Sequence, residues 1–382
     1  MKLTGLYGKG AYMQFRVCGF LFSIFSIVYL YVFQKHVLEA LHFSLAHGKT
    51  HFAPLGSALV ITLILVLLAW GVSSLFQLKE GVKAWAYFPS CVILGFLTRI
   101  DYTVYLHHTP DNWMWQIGLL LVGFVVVTMI LRYVMRPLTE KQWSLIVKLN
   151  SNLSILLVLC FMTILIGNTK RIFHHELEAE FYLRERNTTK VLKVAEKSVE
   201  ASRTLTVLRS IAMVCEGSMG DKLFAYPQYY KSDGLFFPDK SAQNLRFNND
   251  SIYALLGVRP YVGEKRQDYL RNSCYEETGK YTALDYYLSS LLLEKQLDDF
   301  VQAFDDLCDS SAYIPRYYQE AFILYEDACT SAERIYSPDS VLLSKYVAYK
   351  ERKTTFTSHI EAKNQMRREY GDTYWWYFDY QE

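Results

Sequence analysis

The first half of the chain is marked by long runs of residues that carry no charge. Four such runs, each at least 18 residues long, lie at 17–34, 52–78, 112–131 and 149–169. The hydrocarbon core of a bilayer is about 30 Å thick, so a spanning helix needs roughly 20 apolar residues. An ionised side chain at the centre of such a helix costs at least about 2.5 kcal/mol. We therefore predict that these four runs form membrane spans.

A fifth run is shorter and contains a proline. Residues 84–98 carry no charge and include Pro89. The run reaches span length if Arg99 and Asp101 lie at the membrane interface, and the alternative is a re-entrant segment. With this run included, the pattern predicts an N-terminal transmembrane bundle over 1–168, with spans at about 17–34, 56–78, 84–104, 113–132 and 150–169.

Charge separates the chain into two unlike halves and favours the five-span model. Residues 1–168 contain 12 Lys/Arg and 5 Asp/Glu, whereas residues 169–382 contain 28 Lys/Arg and 33 Asp/Glu. In the five-span model with a cytoplasmic N-terminus, nine basic residues lie inside and three lie in the outer loops, in accord with the positive-inside rule. With four spans, the basic loop 132–148 would face outward. The model therefore predicts that residues 169–382 form an extracytoplasmic domain of a protein integral to the inner (cytoplasmic) membrane.

Helical periodicity continues in the second half with ordinary polarity. Helices of 11–14 residues, joined by short turns, predict a soluble domain of α-hairpin, tetratricopeptide-like repeats, which makes the whole fold all-α. Two turns, 183–187 and 292–296, share a local pattern. The spacing before Pro315 fits a tetratricopeptide unit in part, but Leu291 stands where a small residue is usual. Residues 236–279 lack sustained periodicity and are predicted to be irregular.

Three strings in the second half carry a family resemblance. They are Gly220–Gln228 (followed by 233–236), Pro315–Ala321 and Tyr370–Trp375. With them, the chain resembles an uncharacterised family, a domain of unknown function, of multi-pass membrane proteins from anaerobic Gram-negative bacteria. The resemblance implies a hydrophobic N-terminal half and a helical-repeat C-terminal half. It implies no catalytic or binding residue.

Several residue sets are candidates for chemistry, and each has a structural alternative. Histidines can bind metals or shuttle protons, but the chain lacks HExxH and CxxCH motifs. Arg99 and Asp101 flank the short span, where ionisable residues are functional candidates. Eight of the nine histidines are predicted at or near the outer membrane face: His36, His42, His47, His51, His107, His108, His174 and His175.

The cysteines and the aromatic tail leave alternatives open as well. Outside the cytoplasm, Cys215, Cys274, Cys308 and Cys329 could form two disulfides, with 308–329 the favoured pair, or remain buried thiols. The aromatic tail 370–380 either caps the last helices or forms an interface.

These observations favour binding over catalysis. We expect an envelope membrane protein whose partners are the lipid bilayer and a protein bound by the helical-repeat domain, which acts as a binding or scaffold module. The alternatives are a membrane enzyme acting on a lipid-linked or envelope substrate, which would rely on Glu39, Asp101 or Asp111, and a histidine-rich metal or redox component. The sequence assigns no catalytic, cofactor-binding or metal residue. A basic stripe typical of nucleic-acid binding is missing.

Overall fold

The fold is described by a computed structural model that covers residues 4–46, 48–78, 80–101, 114–138, 144–238, 246–309, 313–328 and 339–381. Every regular element in these ranges is a helix, which confirms the all-α fold class. The backbone separates into two compact units, Met1–Arg171 and Ile172–Glu382. Each unit has a hydrophobic core of its own.

The first unit is a bundle of long helices with two shorter ones. Tyr29–Phe33, which directly follows the first α-helix, is a π-helix, and Glu80–Tyr87, which ends just before Phe88, is a 3₁₀-helix. The α-helices are α1 (Thr4–Val28), α2 (Lys35–Ala46), α3 (Pro54–Phe76), α4 (Phe88–Leu97), α5 (Met114–Leu138) and α6 (Leu145–Ile166).

Three helices, not about five, are long and apolar enough to cross a membrane among the described residues. They contain Arg16–Phe33, Pro54–Phe76 and Leu145–Ile166, and a shorter apolar helix covers Trp115–Ile130. The predicted span 84–104 is not one continuous α-helix. Pro89 lies in the first turn of α4, where its missing N–H is tolerated, and the preceding residues form the 3₁₀-helix. Helix α4 ends at Leu97, and residues 102–104 lie outside the described part of the chain.

The 3₁₀-helix is attached to the beginning of α6 by one amide side chain. Asn152 Oδ1 accepts a hydrogen bond of 2.7 Å from Ala84 N, and Asn152 Nδ2 donates to Glu80 O at 2.7 Å. Lys148 Nζ lies 2.7 Å from Glu80 Oε2. These bonds satisfy backbone groups that a 3₁₀-helix otherwise leaves free, which is essential in an apolar surrounding.

Contacts continue along α4 to the other end of α6. Thr163 Oγ1 donates to Cys91 O at 3.2 Å, and Asn168 N donates to Thr98 O at 3.0 Å. Since the partners of residues 80–98 advance steadily from residue 148 to residue 168, this segment runs parallel to α6 along its full length. Tyr29 of the π-helix completes this end of the bundle, with its hydroxyl oxygen 2.9 Å from Thr98 Oγ1 in a hydrogen bond.

The second unit consists of short helices around an aromatic and aliphatic core. Two 3₁₀-helices, Leu223–Ala225 and Lys231–Leu235, lie in the connection between the α-helices Met219–Lys222 and Asn249–Leu256. Its α-helices are α7 (Arg171–Arg184), α8 (Thr188–Lys193), α9 (Arg203–Glu216), α10 (Met219–Lys222), α11 (Asn249–Leu256), α12 (Arg266–Tyr275), α13 (Tyr281–Leu293), α14 (Leu297–Leu307), α15 (Arg316–Ala328), α16 (Ser340–Thr354), α17 (His359–Tyr370) and α18 (Tyr374–Tyr380).

The two turns with a shared sequence pattern have the same backbone geometry. In each, a residue with positive φ donates its N–H to the carbonyl three residues back, and the next residue donates to the carbonyl five residues back. This is the Schellman arrangement that ends a helix. Arg186 and Asn187 form the first turn, and Lys295 and Gln296 form the second. The following helices, α8 and α14, differ in length at 6 and 11 residues, and the tetratricopeptide-like assignment is not confirmed.

Candidate functional site

The three strings that carry the family resemblance meet in the second unit. The first approaches the second at Gly220, where an added Cβ would lie 2.5 Å from Cβ of Pro315. That distance is too short for any side chain, so the approach requires glycine. The second meets the third where Trp375 Nε1 donates to Glu320 O at 2.9 Å.

Arg316 joins all three strings through hydrogen bonds. Its backbone N–H donates to Asp221 Oδ1 at 2.8 Å, its Nε donates to Glu320 Oε1 at 2.8 Å, and its Nη2 donates to Asp372 Oδ2 at 3.1 Å. The second oxygen of Glu320 accepts from Tyr374 N at 2.6 Å. One arginine at the start of α15 therefore fixes the ends of α10 and α18.

The Glu320 carboxyl group is fully buried. Burial raises its pKa to about 7, while the Arg316 guanidinium opposes that rise. Both carboxyl oxygens have hydrogen-bond donors, and removal of such a partner from a buried pair is costly. The group therefore serves to position the surrounding segments.

A groove of about 140 Å³ lies between the first and third strings. Its aromatic walls include Tyr226, Trp376 and Tyr377. Each of these rings is fixed by its polar atom: the hydroxyls donate to Leu192 O and Leu293 O, and the indole N–H donates to Lys363 O. Rigid rings whose polar atoms are already satisfied lose little entropy when a ligand packs on their faces.

A buried arginine supports the groove from behind. Arg209 is 1% exposed, and its guanidinium carbon lies 4.5 Å from the centre of the Tyr226 ring. Its Nη2 donates to Val194 O at 2.7 Å and to Ala195 O at 3.0 Å. Burial lowers the pKa of Arg209 to about 10, so the group stays cationic at neutral pH. These bonds determine the path of residues 194–199, most of which line the groove.

The rim of the groove carries charges of both signs. Glu196 and Lys197 lie on one side, and Arg367 lies on the other, where its Nη2 donates to Tyr229 OH at 3.0 Å. The described residues that line the groove include no histidine or cysteine. Aromatic faces beside charged side chains suit recognition of a protein segment, as at protein–protein interfaces.

The predicted histidine set is not brought together as a metal centre in the described part of the chain. His42 Nε2 lies 3.0 Å from Thr50 Oγ1. The described residues contain no group of three or more histidine, cysteine, aspartate and glutamate side chains placed to hold a metal. His47, His107 and His108 lie outside the described residues, whereas His36, His51, His174 and His175 lie within them.

Arg99 and Asp101 each have a neighbour from a different helix or connection. Arg99 Nη1 donates to Gln116 Oε1 at 2.8 Å, and Asp101 Oδ2 lies 3.5 Å from Lys170 Nζ. These are contacts between side chains at one end of the bundle. Asp111, the other acidic residue considered for catalysis, lies outside the described residues.

The described cysteines of the second unit are free thiols. They are Cys215, Cys274 and Cys308. Burial raises the pKa of Cys274 to about 12 and that of Cys308 to about 11, so both thiols are protonated at neutral pH. Cys329, the favoured partner of Cys308, lies outside the described residues.

The aromatic tail forms α18 and is largely buried. Tyr374 and Trp375 are fully buried, and Tyr380 is 3% exposed. Trp375 packs in a second core with Tyr349 of α16 and Met366 of α17. The tail therefore caps the last helices, as one of the two sequence interpretations proposed.

Sequence reasoning missed Arg209 behind the groove and two residues that line it, Gln228 and Arg367. For Arg209 a signal was present, because a lone cation interrupts the apolar stretch 205–214. A buried cation requires a partner, so its position indicates a specific polar contact. Gln228 and Arg367 stand in ordinary polar surroundings in the sequence.

Comparison with known proteins places the chain in a family but assigns no activity. A model described as a family of unknown function, DUF6057, matches residues 11–258 and 264–381. No curated protein and no solved structure matches the chain. Because the matched ranges make up nearly the whole sequence, the chain belongs to the DUF6057 family of unknown function.

Proposed function

We propose that the chain is a multi-pass protein of the cytoplasmic membrane whose second unit lies outside the cytoplasm and binds a protein partner through the aromatic groove. The observation that carries the binding proposal is the groove with its fixed rings and charged rim. Its volume of about 140 Å³ suits one anchoring side chain of a partner segment better than a whole drug-sized ligand.

Five crossings are supported by the parallel course of residues 80–98 and α6. Helix α6 is long and apolar enough to cross a bilayer, and residues 80–98 contact it from Lys148 to Asn168. A 3₁₀-helix rises about 2.0 Å per residue, so a mixed segment covers a given distance with fewer residues than an α-helix. This segment therefore crosses the same layer despite its short α-helical part. With α5 as a further crossing, the second unit lies on the side opposite to the N-terminus.

Topology reporters test the compartment directly. A reporter pair, one active in the periplasm and one active in the cytoplasm, would be fused after residues 78, 101 and 175 of the chain. Five crossings predict cytoplasmic activity at 78 and periplasmic activity at 101 and 175. Cytoplasmic activity at both 101 and 175 would contradict the proposal.

Photo-cross-linking in native membranes tests the groove. A photoreactive amino acid would replace Ala225, an exposed residue at the groove, or Ala254, an exposed residue outside it. We expect a protein adduct from position 225 that position 254 does not give. The charge reversal Lys197→Glu should abolish this adduct, whereas Lys193→Glu, which changes an exposed lysine outside the groove, should not. An adduct that is insensitive to Lys197→Glu, or none at all, would refute the role of the groove.

A further inference from the structure

A rigid turn in the second unit presents two large apolar residues to solvent. The turn runs from Tyr261 to Glu264, and Glu264 N donates to Tyr261 O at 3.1 Å. Gly263 occupies the third position with φ of +84°, which a tight turn of this type requires of glycine. Val262 lies at the tip with 108% of its reference surface exposed, and Tyr261 is 76% exposed.

Hydrogen bonds hold this turn in place. One carboxylate oxygen of Glu264 accepts from Tyr261 N at 2.9 Å, and the other accepts from Asn272 Nδ2 of α12 at 2.9 Å. Behind the turn, Tyr269 OH donates to Val258 O at 2.6 Å. The tip is therefore preorganised, and a surface that binds it need not first immobilise it.

One basic residue lies on each side of the turn, whose own acidic residue, Glu264, is engaged by Tyr261 N and Asn272 Nδ2. Arg259 lies 3.1 Å from Asp250 and is itself 74% exposed at its side chain, and Lys265 is exposed on the other side of the turn. A tyrosine and an aliphatic residue between two basic residues form the combination that favours a bilayer interface. The ring and aliphatic group enter the headgroup region while the cations remain near the phosphates.

The turn also coincides with the break in the family match. The first matched range ends at residue 258 and the second begins at residue 264, so the unmatched residues 259–263 include Tyr261, Val262 and Gly263 of the turn.

We propose that Tyr261 and Val262 insert into the headgroup region of the phospholipid bilayer that holds the first unit. This inference depends on the proposed membrane insertion of the first unit. Since the two units belong to one chain, even a weak lipid contact is favoured by high effective concentration.

Photo-cross-linking of the full chain in nanodiscs of phosphatidylethanolamine and phosphatidylglycerol tests this contact. A photoreactive amino acid would replace Val262, or Leu157 of α6, which is 71% exposed, or Ile360 of α17, which is 72% exposed. Mass spectrometry would then measure phospholipid adducts. We expect adducts at 157 and 262, with the yield at 262 about tenfold above that at 360, because only an inserted tip reaches the lipid.

The control positions separate the possible failures. Adducts at 157 without adducts at 262 would overturn the proposed tip contact and leave membrane insertion intact. No adduct at either position would refute the proposed membrane insertion as well. Equal yields at 262 and 360 would indicate unspecific capture and overturn the tip contact, and so would a protein adduct at 262 in native membranes in place of a lipid adduct.

The flanking charge provides a second measurement. Replacing Lys265 by glutamate leaves the hydrogen bonds of the turn in place but places an acidic group beside the phosphates. We expect the adduct yield at 262 to fall severalfold in discs that contain phosphatidylglycerol. An unchanged yield would contradict the part assigned to the basic flank.

Discussion

The two units place similar apolar residues differently: the first unit has many of them on its exterior, and the second unit buries most of them in its core. In α3 of the first unit, Leu63 is 60% exposed and Trp70 is 64% exposed, whereas Val207 and Leu208 of α9 in the second unit are fully buried. In water, contiguous apolar surface of that extent is unfavourable, but in lipid it is the expected exterior. An apolar sequence therefore indicates that a helix is shielded from water, but it does not indicate whether protein or lipid shields it.

Buried polar groups differ between the units in a corresponding way. In the first unit, neutral side chains bind backbone carbonyls of neighbouring helices, as Asn152 does with Glu80 O and Ser90 does with Leu65 O. In the second unit, several charged groups are buried, among them Arg209 and Glu320, whereas the buried charged side chain in the described part of the first unit is Glu39. Neutral hydrogen bonds join helices without the desolvation cost of an ion, and a buried ion requires a network of partners.

The largest expected effect comes from breaking the buried ion pair of the second unit. Replacing Glu320 by alanine removes the acceptors of Arg316 Nε and of the Tyr374 N–H, while Arg316 Nη2 keeps Asp372. We expect the free energy of opening of α18 to fall by about 3–5 kcal/mol. Hydrogen exchange with mass spectrometry on the full chain in detergent measures it. Glu351→Ala, at an exposed glutamate of α16, should change it by less than about 0.5 kcal/mol, and an equal effect of the two variants would disprove the role of the pair.

The next largest effect is a dependence on pH. Burial raises the pKa of Glu176 in α7 to about 7, despite a hydrogen bond from Ser202 Oγ. An acid with a raised native pKa stabilises the fold fully below its unfolded value, and this contribution is lost as pH rises through about 7. At 1.36 kcal/mol per pKa unit, the loss between pH 4 and pH 8 is about 3 kcal/mol.

The variant Glu176→Gln isolates this contribution. It keeps a polar side chain next to Ser202 but cannot ionise. We expect hydrogen exchange of α7 to show a difference between wild type and variant that grows from pH 4 to pH 8 in favour of the variant. A difference that does not change with pH would show that the carboxyl group does not titrate in this window.

A neutral hydrogen bond of the first unit should have a smaller effect. Asn152→Leu removes the acceptor of Ala84 N–H and the donor to Glu80 O. An unsatisfied buried backbone group costs about 1–3 kcal/mol, so residues 80–87 should open more readily by that amount. Hydrogen exchange of this segment in nanodiscs measures the change. Asn150→Leu, at an exposed position two residues earlier, should have no such effect, and similar exchange in both variants would contradict the assignment.

The features that could be predicted from the sequence also differ between the two units. Charge-free runs predicted the three helices that meet the span criteria, because the exclusion of ions from lipid acts on every residue of a span. For the segment 84–104, the sequence did not predict the combination of a 3₁₀-helix with a short α-helix. The geometry of this segment depends on Asn152, some 70 residues later in the chain, and such a partner leaves no local pattern.

In the second unit, short-range geometry was predictable and the groove was not. The pattern shared by 183–187 and 292–296 corresponds to two equal turns, since these hydrogen bonds lie within six residues. Helix α8 ends at Lys193, and Arg209 of α9 binds the carbonyls of the next two residues, Val194 and Ala195. The groove requires α9, the first string and α18 together, so no single segment indicates it.

The smallest expected effect concerns the first of these turns. Arg186 has φ of +55°, a left-handed conformation that costs a residue with a Cβ about 1 kcal/mol relative to glycine. Its side chain is exposed, so we expect Arg186→Gly to raise the free energy of opening of α7 and α8, measured by hydrogen exchange, by about 0.5–1 kcal/mol. Arg184→Gly, two residues earlier and within α7, should destabilise by about 1 kcal/mol, because glycine is unfavourable inside a helix. Both variants lose one positive charge. If the free energy of opening rises in Arg186→Gly and falls in Arg184→Gly, the backbone geometry of the turn, and not the lost charge, causes the difference. Destabilisation by both would mean that the arginine charge, and not the turn, governs this end of α7.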